Sequence, residues 1–440
     1  MAHKPSVSIG HVVGIIAEYN PFHNGHAFHI QEAKRLCNAS YCIVVMSGDF
    51  VQRGQPAIFD KYARTFMALS SGADLVVELP PAFALAGAED FASCGIALLD
   101  SLGVVSHVCF GSECGTISPL MELARILVQE PKPFQTELKR LAASGLSYPK
   151  ARQAALSFCL SSCQKPESIA SLLSSPNNIL GVEYLKAIIR KNSHLVPVTI
   201  RRQGAGYHEE SLSSEFSSAT AIRRLIFDSF KCSRENVTKL SVPDPPFHWV
   251  PAALKTQIPS SCLATVNAAV PISVNDFSLL LSYRLLENSG HPEGLEKFAD
   301  VSPELALRMS KYIFHFSSFE DRIADLKTRQ YTYTRISRCL MHILLNISKE
   351  DIGARKRLGY ATSIRILGFR RDSAPLLGAV KREAKLPLVT KTADAPRILS
   401  PDALKQFQQD LFCSHVYQSV AGQKSRMPSR NEYTHSVIIV

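Results

Sequence analysis

Short apolar runs alternate with amphipathic segments through the first 225 residues. Ile15 and Ile16 end the first apolar run. Tyr41 to Met46, Asp74 to Leu79, Val104 to Phe110 and Leu195 to Ile200 are further runs, short and rich in β-branched residues. Continuous apolar runs of that length predict strands buried on both faces. Between them Ala27 to Leu36, Phe59 to Ser70 and Glu89 to Leu102 have helical composition. In the first, Ala27, Ile30, Ala33 and Leu36 fall on one side; Gly72 and Gly103 stop the other two. Helical segments fill roughly 117 to 170. Ser174-Ser-Pro-Asn-Asn178 caps a helix running to Arg190, and another helix begins at Ser217. Strand and helix in alternation predict an α/β, Rossmann-like domain with a parallel sheet.

Residues 240 to 275 contain Pro243, Pro245, Pro246, Pro251, Pro259 and Pro271, the density of a linker or an irregular crossing between domains. From Phe277 onward the pattern turns helical, with amphipathic segments at Phe277 to Leu286, Val301 to Phe316 and Tyr333 to Ile347. The expected organisation is therefore an α/β domain over 1–240, a Pro-rich crossing over 241–275, and a mainly α-helical domain over 276–440. No motif is evident after about residue 395.

With 440 residues, 46% apolar and 20% charged, the chain can bury a large core. Its net charge of +11 suits a polyanionic partner but does not specify one. The eleven cysteines form no Cys-x-x-Cys pair, which argues against zinc and for free thiols in a reducing cytoplasm. No secretory leader and no apolar run of 18 residues are evident, so no membrane span is expected. No protein partner is evident either.

The chemistry concentrates in Gly14-Ile-Ile-Ala-Glu-Tyr-Asn-Pro-Phe-His-Asn-Gly-His26. A strand that breaks through Asn20-Pro21 into a helix N-terminus offers free N–H groups and the positive end of a helix dipole to an anion. His23 and His26 add two imidazoles, and Gly25 admits a close ligand. Ser47 to Gln55 and Gly111 to Glu113 also follow strand ends, so with His23 they converge on one crevice. Arg201 to His208 is a Gly-rich loop after a strand, and its two leading arginines suit a phosphate. Ser217 to Arg223 supplies hydroxyls and an arginine at a helix start. In the C-terminal part Arg335, Arg338, Arg355, Lys356, Arg357, Arg365, Arg370 and Arg371 lie among Tyr331, Tyr333, Tyr360 and Phe369. Cations with interleaved rings suit a single-stranded RNA loop; a solvated helical surface is the plainer alternative.

Glu18-Tyr-Asn-Pro-Phe-His-Asn-Gly-His26 resembles the His-x-Gly-His signature of the nucleotidyltransferase superfamily, in the form carried by the tRNA(Met) cytidine acetate ligases. Ser217 to Arg223 resembles the superfamily's second signature. Met46 to Phe50, Gln52 to Gly54, Cys109 to Glu113, Pro176 to Gly181 and Gly204 to His208 fit the same family in order and spacing. The resemblance is patchier in Tyr333 to Arg338 and Tyr360 to Phe369.

This resemblance implies an enzyme that activates acetate with ATP and Mg²⁺ and acetylates N4 of the wobble cytidine of elongator tRNA(Met). It implies ATP contacts from Ile16, Ala17, Glu18, Tyr19, Asn20, Pro21, Phe22, His23, Asn24, Gly25, His26, Ala27, Phe28 and His29, and from Gly111, Asn177 and Arg202. Asn178 is an equal reading of the asparagine, and Arg201 a weaker one of the arginine. His23, His26 and Arg202 would carry the catalysis. Arg223 with Ser218 or Thr220 would hold pyrophosphate. Arg335, Arg338, Arg355, Arg357, Arg370 and Arg371 are the expected tRNA contacts. No resident metal site is expected. A small-molecule adenylyltransferase, and a non-catalytic RNA-binding protein on the same fold, are the rival readings.

Overall fold

In the computed structural model the described residues are 9–146, 148–160, 172–173, 175–202, 218–237, 249–288, 293–427 and 430–440. Strand β1 (His11–Ala17) leads into helix α1 (Asn24–Leu36), β2 (Ala39–Ser47) and a short hairpin, β3 (Phe50–Val51) and β4 (Gln55–Pro56). Helix α2 (Lys61–Ser70), β5 (Leu75–Leu79), α3 (Ala88–Ser101) and β6 (His107–Ser112) follow. Helix α4 (Pro176–Lys191), β7 (Val196–Arg201) and α5 (Ala219–Val237) complete the N-terminal half.

Within the N-terminal half the strand order is β5-β2-β1-β6-β7. Strands β5, β2, β1, β6 and β7 run parallel, each expected from its apolar run. The chain builds the sheet outward from β1 through β2 and β5 on one side, then returns to place β6 and β7 on the other. The crevice beyond the C-terminal ends of β1 and β6 is the switch point at which such sheets bind ligands. On α1 the expected core positions Ile30 and Ala33 are buried, but Leu36 is exposed.

The sheet does not stop at the N-terminal half. Strand β8 (Ile364–Phe369) lies antiparallel to β5, and β9 (Leu388–Val389) and β10 (Ile438–Ile439) lie parallel to β8. The sheet is thus mixed rather than wholly parallel, and it crosses the sequence boundary at 275. The described part of the Pro-rich stretch, 249–275, is packed: Trp249, Leu254, Ile258, Cys262 and Val266 are buried in the cluster that holds β1, α1 and α2. Pro243, Pro245 and Pro246 lie outside the described residues.

The helical region includes α6 (Ser278–Glu287), α7 (Tyr333–Leu344), α8 (Lys349–Arg357) and the 25-residue α9 (Pro401–Ser425). Ile336, Leu340 and Leu344 of α7 are buried as their spacing requires, in a core with Phe277, Leu281 and Phe319. Phe50 of the hairpin joins that core, with its ring 5.9 Å from Phe277 and 6.0 Å from Tyr417.

A charged cluster sits where these parts meet. The fully buried Lys61 ammonium lies 2.9 Å from Glu78, 3.0 Å from Glu432 and 3.8 Å from Asp49. It also donates to Ser414 on α9 at 2.8 Å. Arg365 of β8 pairs with Glu78 at 3.2 Å and with Glu432. Burial and the Arg365 charge both work against the Lys61 ammonium, but the surrounding carboxylates win and hold it protonated. Removing one partner of a buried ion group leaves the other uncompensated, at a cost of about 3–5 kcal/mol. Glu432→Gln is therefore expected to lower the urea midpoint by that order. Adding Lys61→Met should restore part of the loss, because the two sites share one interaction.

Candidate active site

The cavity at the switch point encloses about 290 Å³. Its floor is the end of β1 and the turn after it, held by helix α2. The buried Arg64 guanidinium donates to Glu18 O at 2.7 Å, Ser47 O at 2.9 Å, Phe59 O at 2.9 Å and Gly48 O. It thereby satisfies carbonyls at the ends of two strands that the sheet leaves open. Asn20 Oδ1 accepts from Ile58 N at 2.7 Å, and Asn20 O accepts from Arg223 Nη1 at 2.7 Å.

His23 is the N-cap of α1, and its Nδ1 accepts from Gly25 N at 3.1 Å. The hydrogen of the neutral ring is therefore on Nε2. His26 stacks on His23 with centroids 3.7 Å apart and planes 24° apart. His29 follows one turn later, and all three rings line the cavity. His26 Nδ1 and His29 Nε2 are buried without a hydrogen-bond partner among the described residues. Desolvation, with Arg202 and Arg223 adding repulsion, lowers His23 to about 3. Desolvation and then Arg202 lower His29 to about 4. His26 is lowered by desolvation first, then by His23 and Arg202. These are neutral imidazoles in a cationic pocket, able to donate N–H bonds to an anion.

Of the expected ligand contacts, Ile16, Ala17, Glu18, Tyr19, Asn20, His23, Gly25, His26, Phe28, His29, Gly111, Asn177, Arg202, Ser218, Thr220 and Arg223 all line this cavity. Pro21, Phe22, Asn24, Ala27 and Asn178 do not. Phe22 is buried beneath the site, 4.8 Å from the Tyr19 ring and 5.6 Å from His26. Asn24 turns away and donates to Thr256 O at 2.8 Å.

The two asparagines divide the work. Asn178 is buried, and its Oδ1 accepts from Glu113 N at 3.0 Å and Cys114 N at 3.2 Å, fixing the loop after β6. Asn177 faces the cavity, donating to Glu113 Oε1 at 2.7 Å and accepting from Arg202 Nη1 at 3.3 Å. A Cβ at Gly111 would stand 3.2 Å from Arg202 Cγ, so glycine keeps that arginine's path open. Arg201 lines the cavity as well. Thr220 Oγ1 accepts from Arg223 Nη2 at 3.1 Å, while Ser218 Oγ caps Ala221 N at 3.1 Å. Ser217 and Gly204 to His208 lie outside the described residues.

Two walls carry residues with no role assigned from sequence: the apolar one is not foreseen there, and the polar one is expected at the crevice only as the loop Ser47 to Gln55. Phe91, Phe110, Leu180 and Tyr184 give an apolar side, and Gln52, Arg53 and Gln55 of the hairpin a polar one. The polar loop past the end of β2 was the available signal for the second.

The basic C-terminal set is not all at the surface. Arg357 and Arg371 are exposed. Arg335 lies over the Tyr331 ring at 4.9 Å, Arg338 pairs with Asp300 at 3.2 Å, and Arg370 pairs with Asp372 at 3.2 Å. Arg355 leaves the set: it is buried, bonded to Asp410 at 2.8 Å and to Gln406 O at 2.8 Å. Its place on the inner face of α8 makes it a tie to α9. Arg365 is likewise spent in the buried charge cluster, and Lys356 pairs with Asp90 at 2.7 Å.

The lowered imidazoles set a pH dependence. The unfolded chain takes up protons on these histidines near pH 6.5, but the folded chain takes them up on His23 only near 3 and on His29 near 4. Stability is therefore full above about pH 6.5 and is lost progressively as pH falls toward 4. Urea midpoints between pH 8 and pH 4.5 should decline in that window, and less steeply in His29→Gln.

The family model described as HIGH Nucleotidyl Transferase matches residues 10–432. The tRNA(Met) cytidine acetate ligase of Acetivibrio thermocellus is 36% identical over 430 residues, which span 98% of this chain and 100% of that one. The crystal structure of Thermotoga maritima TmcAL in its apo form I superposes with a TM-score of 0.85 at 31% identity, covering 98% of this chain and 99% of that one. A second TmcAL structure, form II bound with alpha-thio ATP, gives a TM-score of 0.83 at 30% identity with the same coverage. Likeness of this extent along the whole chain places the protein in the tRNA(Met) cytidine acetate ligase family.

Proposed function

We propose that the protein is an ATP-dependent ligase that acetylates N4 of the wobble cytidine of elongator tRNA(Met), using acetate. The observation that carries this is the cavity at the switch point, where two stacked neutral imidazoles meet Arg202 and Arg223. It occurs in a chain similar over its whole length to proteins named for that activity.

Acetate is unreactive and the cytosine amine is a poor nucleophile. In the first step an acetate oxygen bonds to the α-phosphorus of ATP, the bond to pyrophosphate breaks, and acetyl-adenylate forms. In the second the N4 amine bonds to the acetyl carbon, the bond to AMP breaks, and one amine proton passes to solvent. Neither step needs a protein nucleophile. Holding the reactants in line can supply roughly 7–11 kcal/mol. His23 would donate from Nε2, and His26 and Arg202 beside it would stabilise charge as the α-phosphate rearranges. Arg223, oriented by Thr220 and by Asn20 O, would hold the leaving pyrophosphate. Ser218 Oγ accepts its capping bond, and a hydroxyl that accepts can also donate, so Ser218 would share that phosphate. No group of three His, Cys, Asp or Glu side chains among the described residues could hold a metal. Mg²⁺ would enter with the nucleotide, held by phosphate oxygens and water.

The tRNA would approach the helical part, with Arg335, Arg338, Arg357, Arg370 and Arg371 as phosphate contacts and the 1–240 part doing the chemistry. The ten cysteines among the described residues are all free, which fits a reaction carried out in the cytoplasm.

The direct test is acetate-dependent exchange of labelled pyrophosphate into ATP. Wild-type protein should exchange, and His26→Ala or Arg202→Ala should lose roughly 100- to 1000-fold. Exchange without acetate, or variants at the wild-type rate, would refute the assignment. Separately, the triple variant Arg335→Gln, Arg357→Gln, Arg371→Gln should bind tRNA more weakly and with a shallower salt dependence, while exchange persists.

A further inference from the structure

The hairpin after β2 is a polar cavity wall to which the nucleotide chemistry gives no task. It enters the helical core through Phe50 and presents Gln52, Arg53 and Gln55 to the cavity. Two clamps fix it. On the cavity side Gln52 N donates to Glu18 Oε1 at 2.8 Å. On the other side Ser337 Oγ of α7 donates to Gly54 O at 2.6 Å, and the Tyr333 phenol is hydrogen-bonded to Gln55. Gly54 has φ +74°, and a Cβ there would stand 2.4 Å from Arg338 N. Only glycine lets α7 press this close.

The sheet order places this wall away from the phosphate contacts. The hairpin extends from β2, on one flank of β1. Arg201 and Arg202 follow β7, beyond β6 on the other flank. Arg53 thus lines the cavity on the flank of β1 opposite to that of Arg202. That side is also continuous with α7, whose Ser337 and Arg338 lie against Gly54. An RNA loop lying on α7 would therefore have the hairpin beside it.

Building on the ligase reading, we propose that the turn Gln52–Gln55 is the acceptor-base wall, and that Arg53 recognises the cytosine that accepts the acetyl group. Cytosine presents two adjacent acceptors, O2 and N3, beside the reacting N4 amine. A guanidinium fork fits two such acceptors at once, and a lysine does not. Uracil carries a hydrogen on N3 and would oppose an arginine donor there. The same contact leaves N4 free to attack. Gln52 and Gln55 line the approach with amides that hold the base plane.

The test uses the full-length protein, ATP, acetate and unmodified tRNA(Met). Arg53→Ala should lose roughly 10- to 100-fold in acetyl transfer, the range of one bidentate base contact. Pyrophosphate exchange and tRNA affinity should stay within about threefold, because phosphate contacts made elsewhere dominate binding. Arg53→Lys, which keeps the charge without the fork, should recover little. A parallel fall in exchange and transfer would assign Arg53 to the nucleotide and overturn the proposal. Unchanged transfer in Arg53→Ala, or full rescue by lysine, would overturn it as well. Absence of acetate-dependent exchange in the wild type would instead overturn the ligase reading, and this inference with it.

Discussion

An ammonium group taken out of water must find anions within reach, and Lys61 finds them in parts of the chain that are far apart in sequence. Glu78 comes from β5, Asp49 from the loop after β2 and Glu432 from the C-terminal segment, and the neutral Ser414 hydroxyl of α9 accepts a further hydrogen bond. Arg365 of β8 balances the second negative charge. The net contribution of such a cluster to stability is small, because desolvation offsets the attraction. Its effect is on specificity: one arrangement of these segments leaves no buried charge alone, and others do not.

Helix α2 carries this constraint to the site. Lys61, at its first turn, ties the C-terminal region to the sheet. Arg64, one turn later, ties together the strand ends from which the cavity floor is made. The same ten residues therefore hold the helical region and the nucleotide crevice in register. The hairpin completes the link, with Phe50 in the helical core and its turn at the cavity mouth. Two chemistries that need one shared geometry, activation and transfer, are thus placed on one rigid frame.

Much of this was legible in the sequence. The five parallel strands announced themselves as short β-branched runs, and the strand-turn-helix around His23 and His26 fell where the cavity lies. What escaped depends on partners that no local pattern reveals. Strand β8 holds Arg365 in its middle, which reads as a surface residue until Glu78 and Glu432 are placed beside it. Helix α9 turns Ser414 and Gln418 inward toward the charge cluster, which blurs its apolar stripe. Arg355 looked like a free cation for the same reason. The choice between Asn177 and Asn178 turned on the phase of α4, since one position faces the cavity and the next faces the loop. The hairpin wall was visible as a polar loop, but its task follows only from what lies on either side of it.

The position of Glu432 carries a consequence for biosynthesis. The N-terminal half leaves the ribosome first, with Lys61 and Glu78 already made. Their remaining partners, Arg365 and Glu432, follow about 290 to 370 residues later, roughly fifteen to seventy-five seconds at ordinary translation speeds. Until then an incomplete sheet edge at β5 and an unbalanced ionic centre stand open to solvent. Every residue that lines the cavity lies between 16 and 223, yet α2, the helix that holds its floor, is itself held by a partner made almost last.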